Sequence, residues 1–340
     1  MRFDIDGWDP GYGTAVDIQE LPDSASNIDA TLEVSAAAWS PIAPDAAAAV
    51  PATVLFVDGV RRIDARAWID DVDAADGERR RAVAGLCASY AAGVVCACGA
   101  GAHVIAAEVR RGLFSDASTA TDIETGSGTY GFHRTVLDTS QPAAASLSNA
   151  LQRALADLEV MVAVAARQPG TAHHAGGDDL LIVDGPLRGK AHLDRTLGYV
   201  KTHGVQYLPP QLNDVVADLE TGSRTPVFAV SSSWERYSWY LRLPGNPGNP
   251  WAGVVRLEAA IDLPLPEVIT LANMTQNLLG RFASVEYKDA RAPQNLIPIA
   301  GLENDLRHRL GLAPVVYRSL RSAARSPEST PTPEHNEPKA

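Results

Sequence analysis

Two stretches of the chain share one pattern, a run of four apolar residues that ends in Asp-Gly: Val54-Leu-Phe-Val-Asp58-Gly59 and Leu180-Leu-Ile-Val-Asp184-Gly185. A short continuous apolar run of this kind reads as a fully buried strand. The aspartate then stands at the rim of a sheet, and the glycine permits a tight turn that frees the carboxylate. One copy alone is a core strand ending in a turn. Two copies predict adjacent strand ends that present two carboxylates to a shared metal.

Around these strands the hydropathy pattern predicts a mixed α/β chain. Residues 62–70 alternate apolar and polar (Ile63, Ala65, Ala67, Ile69), a second strand joined to the first by the tight turn. Residues 79–92 read as a short helix, and 93–98 and 103–114 as further strands. Residues 116–131 are rich in Ser, Thr and Gly and read as a loop. Residues 142–166 form the clearest helix, with Leu147, Ala150, Leu151, Ala154, Leu155, Leu158 and Val162 on one face. Strands follow at 193–202, 226–230, 238–243 and 254–260, with a turn at 246–250, and helices at 212–219, 264–281 and 295–310. The His173-His174 pair lies in Gly/Ala/Asp surroundings and reads as a solvated loop. From Ser322 onward Pro, Ser, Thr and Glu dominate, the composition of a disordered tail.

The net charge of −12 is unevenly spread. Residues 1–50 hold nine acids and one arginine, a net of −8, and the tail from Ser322 carries −1, so residues 51–321 carry only −3. Charge therefore excludes little, nucleic acid included. The acidic first 50 residues read as an extension that wraps the surface or joins an interface, followed by one domain over 51–315 and a tail over 322–340. No apolar run approaches the roughly 20 residues of a membrane span, and a cytoplasmic protein is expected. Cys87, Cys96 and Cys98 lie in Ala/Val surroundings without a further ligand pair at matching spacing, and read as small buried thiols in a reduced compartment.

Clustered carboxylates are what phosphodiester hydrolysis by hard cations requires. Two divalent ions about 3.5–4 Å apart activate a water and clamp the leaving oxygen. Magnesium and manganese take oxygen ligands. Asp58 and Asp184 fit that role, with Glu159, beside the apolar stripe of the 142–166 helix, as the helical contributor. Asp157 competes with it, since one helix face presents either but not both, and Glu108 is a further strand-borne candidate. Lys201 ends an apolar strand and suits a phosphate contact or developing negative charge. Arg61, Arg62, Arg188 and Lys190 follow the two Asp-Gly pairs, on the rim where a DNA backbone would pass, and Arg195 lies further along the same stretch.

The order of these blocks resembles the NurA-type nucleases: Val54–Arg62, the Glu159 helix, Leu180–Leu187, Val200-Lys201-Thr202, Tyr240–Leu243 with Val255–Glu258, and Pro293-Gln-Asn-Leu296. The resemblance spans about Trp39 to Arg309. It implies a ribonuclease H-like, PIWI-like mixed sheet flanked by helices, a homodimer, manganese or magnesium as cofactor, and action on DNA ends in repair with a hexameric HerA-like ATPase. It also implies Asp58, Glu159 and Asp184 as metal ligands. The family has a late tyrosine and, eight residues on, a histidine; aligning the 296–301 block puts Pro293 and Gly301 there, with Asp289, Asn295 or His308 as substitutes. The expected activity is thus a metal-dependent deoxyribonuclease. A NurA-like adaptor that docks on the ATPase without cutting, and an actin-like ATPase, are the alternatives.

Overall fold

A computed structural model describes residues 26–71, 81–168, 178–245 and 251–325. The chain divides into two compact units. The first comprises Met1–Val60, Ala91–Glu108 and Leu155–Arg307, and the second Arg61–Tyr90, Val109–Ala154 and His308–Ala340. In chain order the strands are β1 (Asn27–Asp29), β2 (Thr53–Asp71), β3 (Arg81–Cys98), β4 (Gly101–Ser115), β5 (Gly131–Arg134), β6 (Asp179–Asp184), β7 (Thr196–Val200), β8 (Phe228–Ser231), β9 (Glu235–Arg242) and β10 (Val254–Ala260). The helices are α1 (Ala143–Ala166), α2 (Pro210–Ala217), α3 (Leu265–Leu278), α4 (Ile297–Arg309) and α5 (Ala313–Ala323).

In the first unit the strands lie in the order β1-β8-β9-β10-β7-β6-β2-β3-β4. The two apolar runs are parallel neighbours, with Val54 opposite Leu180 and Val57 opposite Val183. Parallel strands covered on both faces need apolar residues at every position, which is why both runs lack alternation. A parallel pair also needs a long crossover, and α1 falls within the chain between β2 and β6. β7 is parallel to β6, and β10 is antiparallel to β7. The segment β4-β3-β2-β6-β7, three consecutive strands followed by two parallel ones after a helix, is the ribonuclease H-like order. Val54, Phe56, Leu180 and Ile182 face a core completed by α3 and by Leu296 and Ile299 near the start of α4.

The second unit has a smaller core of Cys87, Leu113, Tyr130, Val316 and Leu320. Asp64 collects bonds there from Arg62 Nε (2.7 Å), Ser89 Oγ and the Tyr130 hydroxyl (2.8 Å), which satisfies a carboxylate that burial would otherwise penalise.

Several sequence expectations change. β2 does not turn at Asp58-Gly59 but continues to Asp71, so 53–71 is one strand of 19 residues. Gly59 is required for a different reason: a Cβ there would lie 2.6 Å from Leu155 Cδ1 and 2.7 Å from Glu159 Oε1, so the glycine lets α1 approach the strand. The second copy does turn, with Gly185 at φ +102°. Residues 81–92, expected as helix, instead form one strand with the expected strand 93–98; from Gly85 to Cys96 it is buried without a break, and small side chains covered on both faces carry no period to read. Residues 26–50 do more than wrap the surface. β1 pairs with β8, Trp39 packs in a cluster with Phe228 and Tyr240, and Glu33 takes both ends of the buried Arg224 guanidinium at 2.7 and 2.9 Å. α5 extends the helical structure to Ala323. His173-His174, the 246–250 turn and most of the expected tail lie outside the described residues. Among the described residues, no helix is long and apolar enough to cross a membrane.

Candidate metal centre

Because Val57 stands opposite Val183, the next residues, Asp58 and Asp184, leave neighbouring strands at the same level. Alternation puts Asp58 on the face of Val54 and Phe56 and turns Gly59 toward α1. From the Phe56 side comes a third acid, Glu303 of α4. Carboxylate oxygens of Asp58, Asp184 and Glu303 all lie within 4.8 Å of one another.

Each of the three has one oxygen held in place. Asp58 Oδ1 accepts the Gly59 N–H at 2.7 Å. Asp184 Oδ2 accepts from Lys201 Nζ at 2.7 Å, and Glu303 Oε2 accepts from Arg291 at 2.7 Å and Arg307 at 3.1 Å. The other oxygens of the two aspartates, Asp58 Oδ2 and Asp184 Oδ1, are buried without a hydrogen-bond partner, a state that native proteins tolerate only with a reason. Burial raises the Asp58 carboxyl well above the usual carboxylate range, Asp184 adds the next largest push, and Glu159 and Glu303 contribute, against the opposing charge of Lys201. Carboxylates held this close concentrate negative charge around Asp58, and a hard divalent cation is the ligand that offsets it. Oxygen donors alone suit magnesium or manganese rather than a soft metal. The residues present fit such an ion.

Glu159 is buried and comes from α1, on the opposite side of β2 from Glu303. Its Oε2 accepts from Lys190 Nζ, with both side chains buried. Its charge reaches Asp58, yet it is not one of the three acids whose oxygens converge. Asp157 is exposed, so α1 presents Glu159. Lys201 is bonded to Asp184 and to Asn295 Oδ1 (3.0 Å), and stands 4.0 Å from Glu303 Oε1. Asn295 in turn donates to Asp289 at 2.7 Å. Of the basic residues expected along a DNA path, Arg188 is exposed, whereas Lys190 is buried on Glu159 rather than standing on a rim. Arg61 and Arg62 belong to the second unit, where Arg61 reaches Ser148 Oγ at 3.3 Å and Arg62 is tied to Asp64 and the Gly311 carbonyl (2.6 Å). Glu108 is half-buried on β4 and outside the converging group.

Glu303 was not among the acids singled out from sequence, although Gly301 of the same helix was noted. Gly301 is exposed, and a Cβ there meets nothing within 4 Å. Two residues further on, about 200° around the helix, Glu303 faces the aspartates. The signal that could have found Glu303 is its register: Ile299, Leu302 and Leu306 form the buried stripe of α4, and position 303 falls inside it.

Beside Asp184 opens a cavity of about 310 Å³ lined by Lys201, Thr202, Tyr207 and Arg256 among others. Arg256 lies over the Tyr207 ring (4.4 Å) and, with Arg236, is held by the buried Glu258 at 2.9 and 2.8 Å. The same Glu258 fixes the loop after Asp184 by accepting the Leu187 N–H at 2.9 Å. Sequence reading assigned neither arginine a role.

No protein-family model matches the chain, and no curated protein matches it. Among solved structures it is similar to the NurA nuclease from Sulfolobus solfataricus, at 10% identity, 84% of this chain, 88% of that one and a TM-score of 0.42. Human ENDOV is similar at 14% identity over 76% and 84% of the two chains, TM-score 0.34. The Endonuclease_V of Bacillus subtilis is similar at 14% over 79% and 84%, TM-score 0.32.

Proposed function

We propose that the chain is a divalent-metal-dependent nuclease that hydrolyses phosphodiester bonds of DNA. The observation that carries this reading is the convergence of Asp58, Asp184 and Glu303 from three separate segments, with two buried oxygens left unpartnered. Asp58, Asp184 and Glu303 would hold one ion, and Glu159, whose charge reaches Asp58, is the acid available to a second. Manganese or magnesium bound there would lower the pKa of water and offset charge on the departing oxygen. The chain's own residues prepare that chemistry. Gly59, Lys201 and Arg291 fix one oxygen of each acid so that the other points inward without rearrangement. Lys201 holds Asp184 from the cavity side, and with two of its three protons given to Asp184 and Asn295, the third is left for a phosphate. Arg256 and Thr202 line the approach. The NurA-like order of the sequence blocks supports DNA ends as substrate, a HerA-type ATPase as partner, a homodimer and a place in DNA repair.

The test is incubation of the purified chain with linear double- and single-stranded DNA, with manganese, magnesium or a chelator. Cleavage that needs the ion and is lost in Asp184→Asn is expected. No cleavage of either substrate with either ion, alone or with its ATPase partner, would reject the reading.

A further inference from the structure

Two of the three cysteines lie at the end of β3, near the two-residue turn into β4. Cys96 and Cys98 are two positions apart on one strand, and Ala97 between them packs against the main core of the first unit. Both thiols therefore face the other side of the strand. His103, on β4 just past the turn, joins them: the two Sγ atoms and a ring nitrogen all lie within 4.8 Å of one another. The sequence lacked a second ligand pair, but it could not show that the hairpin folds a histidine back onto the cysteines.

We infer that Cys96, Cys98 and His103 form a metal site, sharing no residue with the acidic centre, that takes a soft divalent ion of the zinc class. Zinc binds sulfur at about 2.3 Å and imidazole nitrogen at about 2.0–2.1 Å, so tetrahedral ligands stand roughly 3.5–3.8 Å apart. From separations of at most 4.8 Å the three atoms need to close by no more than about 1.3 Å, which side-chain rotation supplies. Charge favours the ion as well. Cys96 is buried, and two thiolates with one divalent cation make a neutral group that burial does not penalise. His103 Nδ1 lies 3.3 Å from the Gly101 carbonyl, and the tautomer that donates to this acceptor carries its lone pair on Nε2. A backbone carbonyl plays this part behind many metal-bound imidazoles. Cys98 and His103 are half-buried, which leaves the fourth position to water. The two centres divide by chemistry: oxygen donors for a hard ion, sulfur and nitrogen for a soft one.

The test is metal analysis of the untagged full chain, produced with zinc present and freed of loosely held ions. One zinc per chain is expected, released when a thiol-specific mercurial is added. Asp58→Asn should retain it. Cys96→Ser with Cys98→Ser should lose it, and cobalt in its place should give a thiolate-to-cobalt charge-transfer band absent from that variant. Should the double variant not fold, His103→Ala serves, and it should give up zinc to a chelator at least tenfold more readily than the unaltered chain. Sub-stoichiometric zinc in the unaltered chain, or zinc undisturbed by the mercurial and by His103→Ala, would overturn the inference. Either result stands apart from DNA cleavage, which the acidic centre alone governs.

Discussion

Lys190 offers a sharp test of how charge is balanced beside Asp58. Its ammonium is buried against Glu159, also buried, and Lys190→Met removes the cation while roughly keeping the volume. A buried pair broken on one side costs about 3–5 kcal/mol. Glu159 limits that cost by taking a proton. With an ordinary glutamate pKa near 4.3, holding a neutral carboxyl at pH 7 costs about 1.36 kcal/mol for each of roughly 2.7 units, or about 3.7 kcal/mol. The sign follows. Burial already raises the Glu159 carboxyl in the unaltered chain against the opposing charge of Lys190; the variant removes that opposition and raises it further, so the penalty grows as pH rises and nearly vanishes near pH 4.5. Melting followed by circular dichroism should show a deficit of roughly 5–10 °C at pH 7, much smaller at pH 5. Adding Glu159→Gln should recover most of it at pH 7. A variant as stable as the parent at pH 7, or a deficit that does not shrink in acid, would refute this account of the pair.

Gly59→Ala should destabilise the chain by about 1–3 kcal/mol in urea titrations, since its Cβ would meet Leu155 and Glu159 at under 3 Å and overpack the α1 contact. Gly301→His should leave metal binding unchanged by calorimetry, because that position faces open space away from Glu303. His203 is pushed down to about 4 by burial. The unfolded chain takes that proton first, so stability is lost as pH falls from about 6.5 to about 4, by roughly 3 kcal/mol. His203→Gln should flatten that slope in denaturation curves across this range.

What the sequence disclosed was local. Val54–Val57 and Leu180–Val183 were legible as buried strands because parallel neighbours covered on both faces leave an unbroken apolar run, and Asp58 and Asp184 came with them. Gly59 was misread as a turn, since nothing in the local pattern tells a turn glycine from one that admits a helix. Glu159 was found, but its partner Lys190 is 31 residues away, and only the fold joins them. Glu303 shares α4 with Asp305, Arg307 and Arg309, charges that suggest a solvated face and mask its place in the apolar stripe. β3 was taken partly for a helix because Ala, Gly, Ser and Cys carry little hydrophobic period of either kind.

The central claim is that Asp58, Asp184 and Glu303 together hold the cation on which cleavage depends. Glu303→Gln tests it most directly, since it removes one charge and leaves the two sequence-evident aspartates intact. Manganese binding measured by calorimetry should weaken at least tenfold, about 1.4 kcal/mol, with DNA cleavage falling in step and recovering only at raised manganese. Manganese affinity and cleavage equal to those of the unaltered chain would contradict the account.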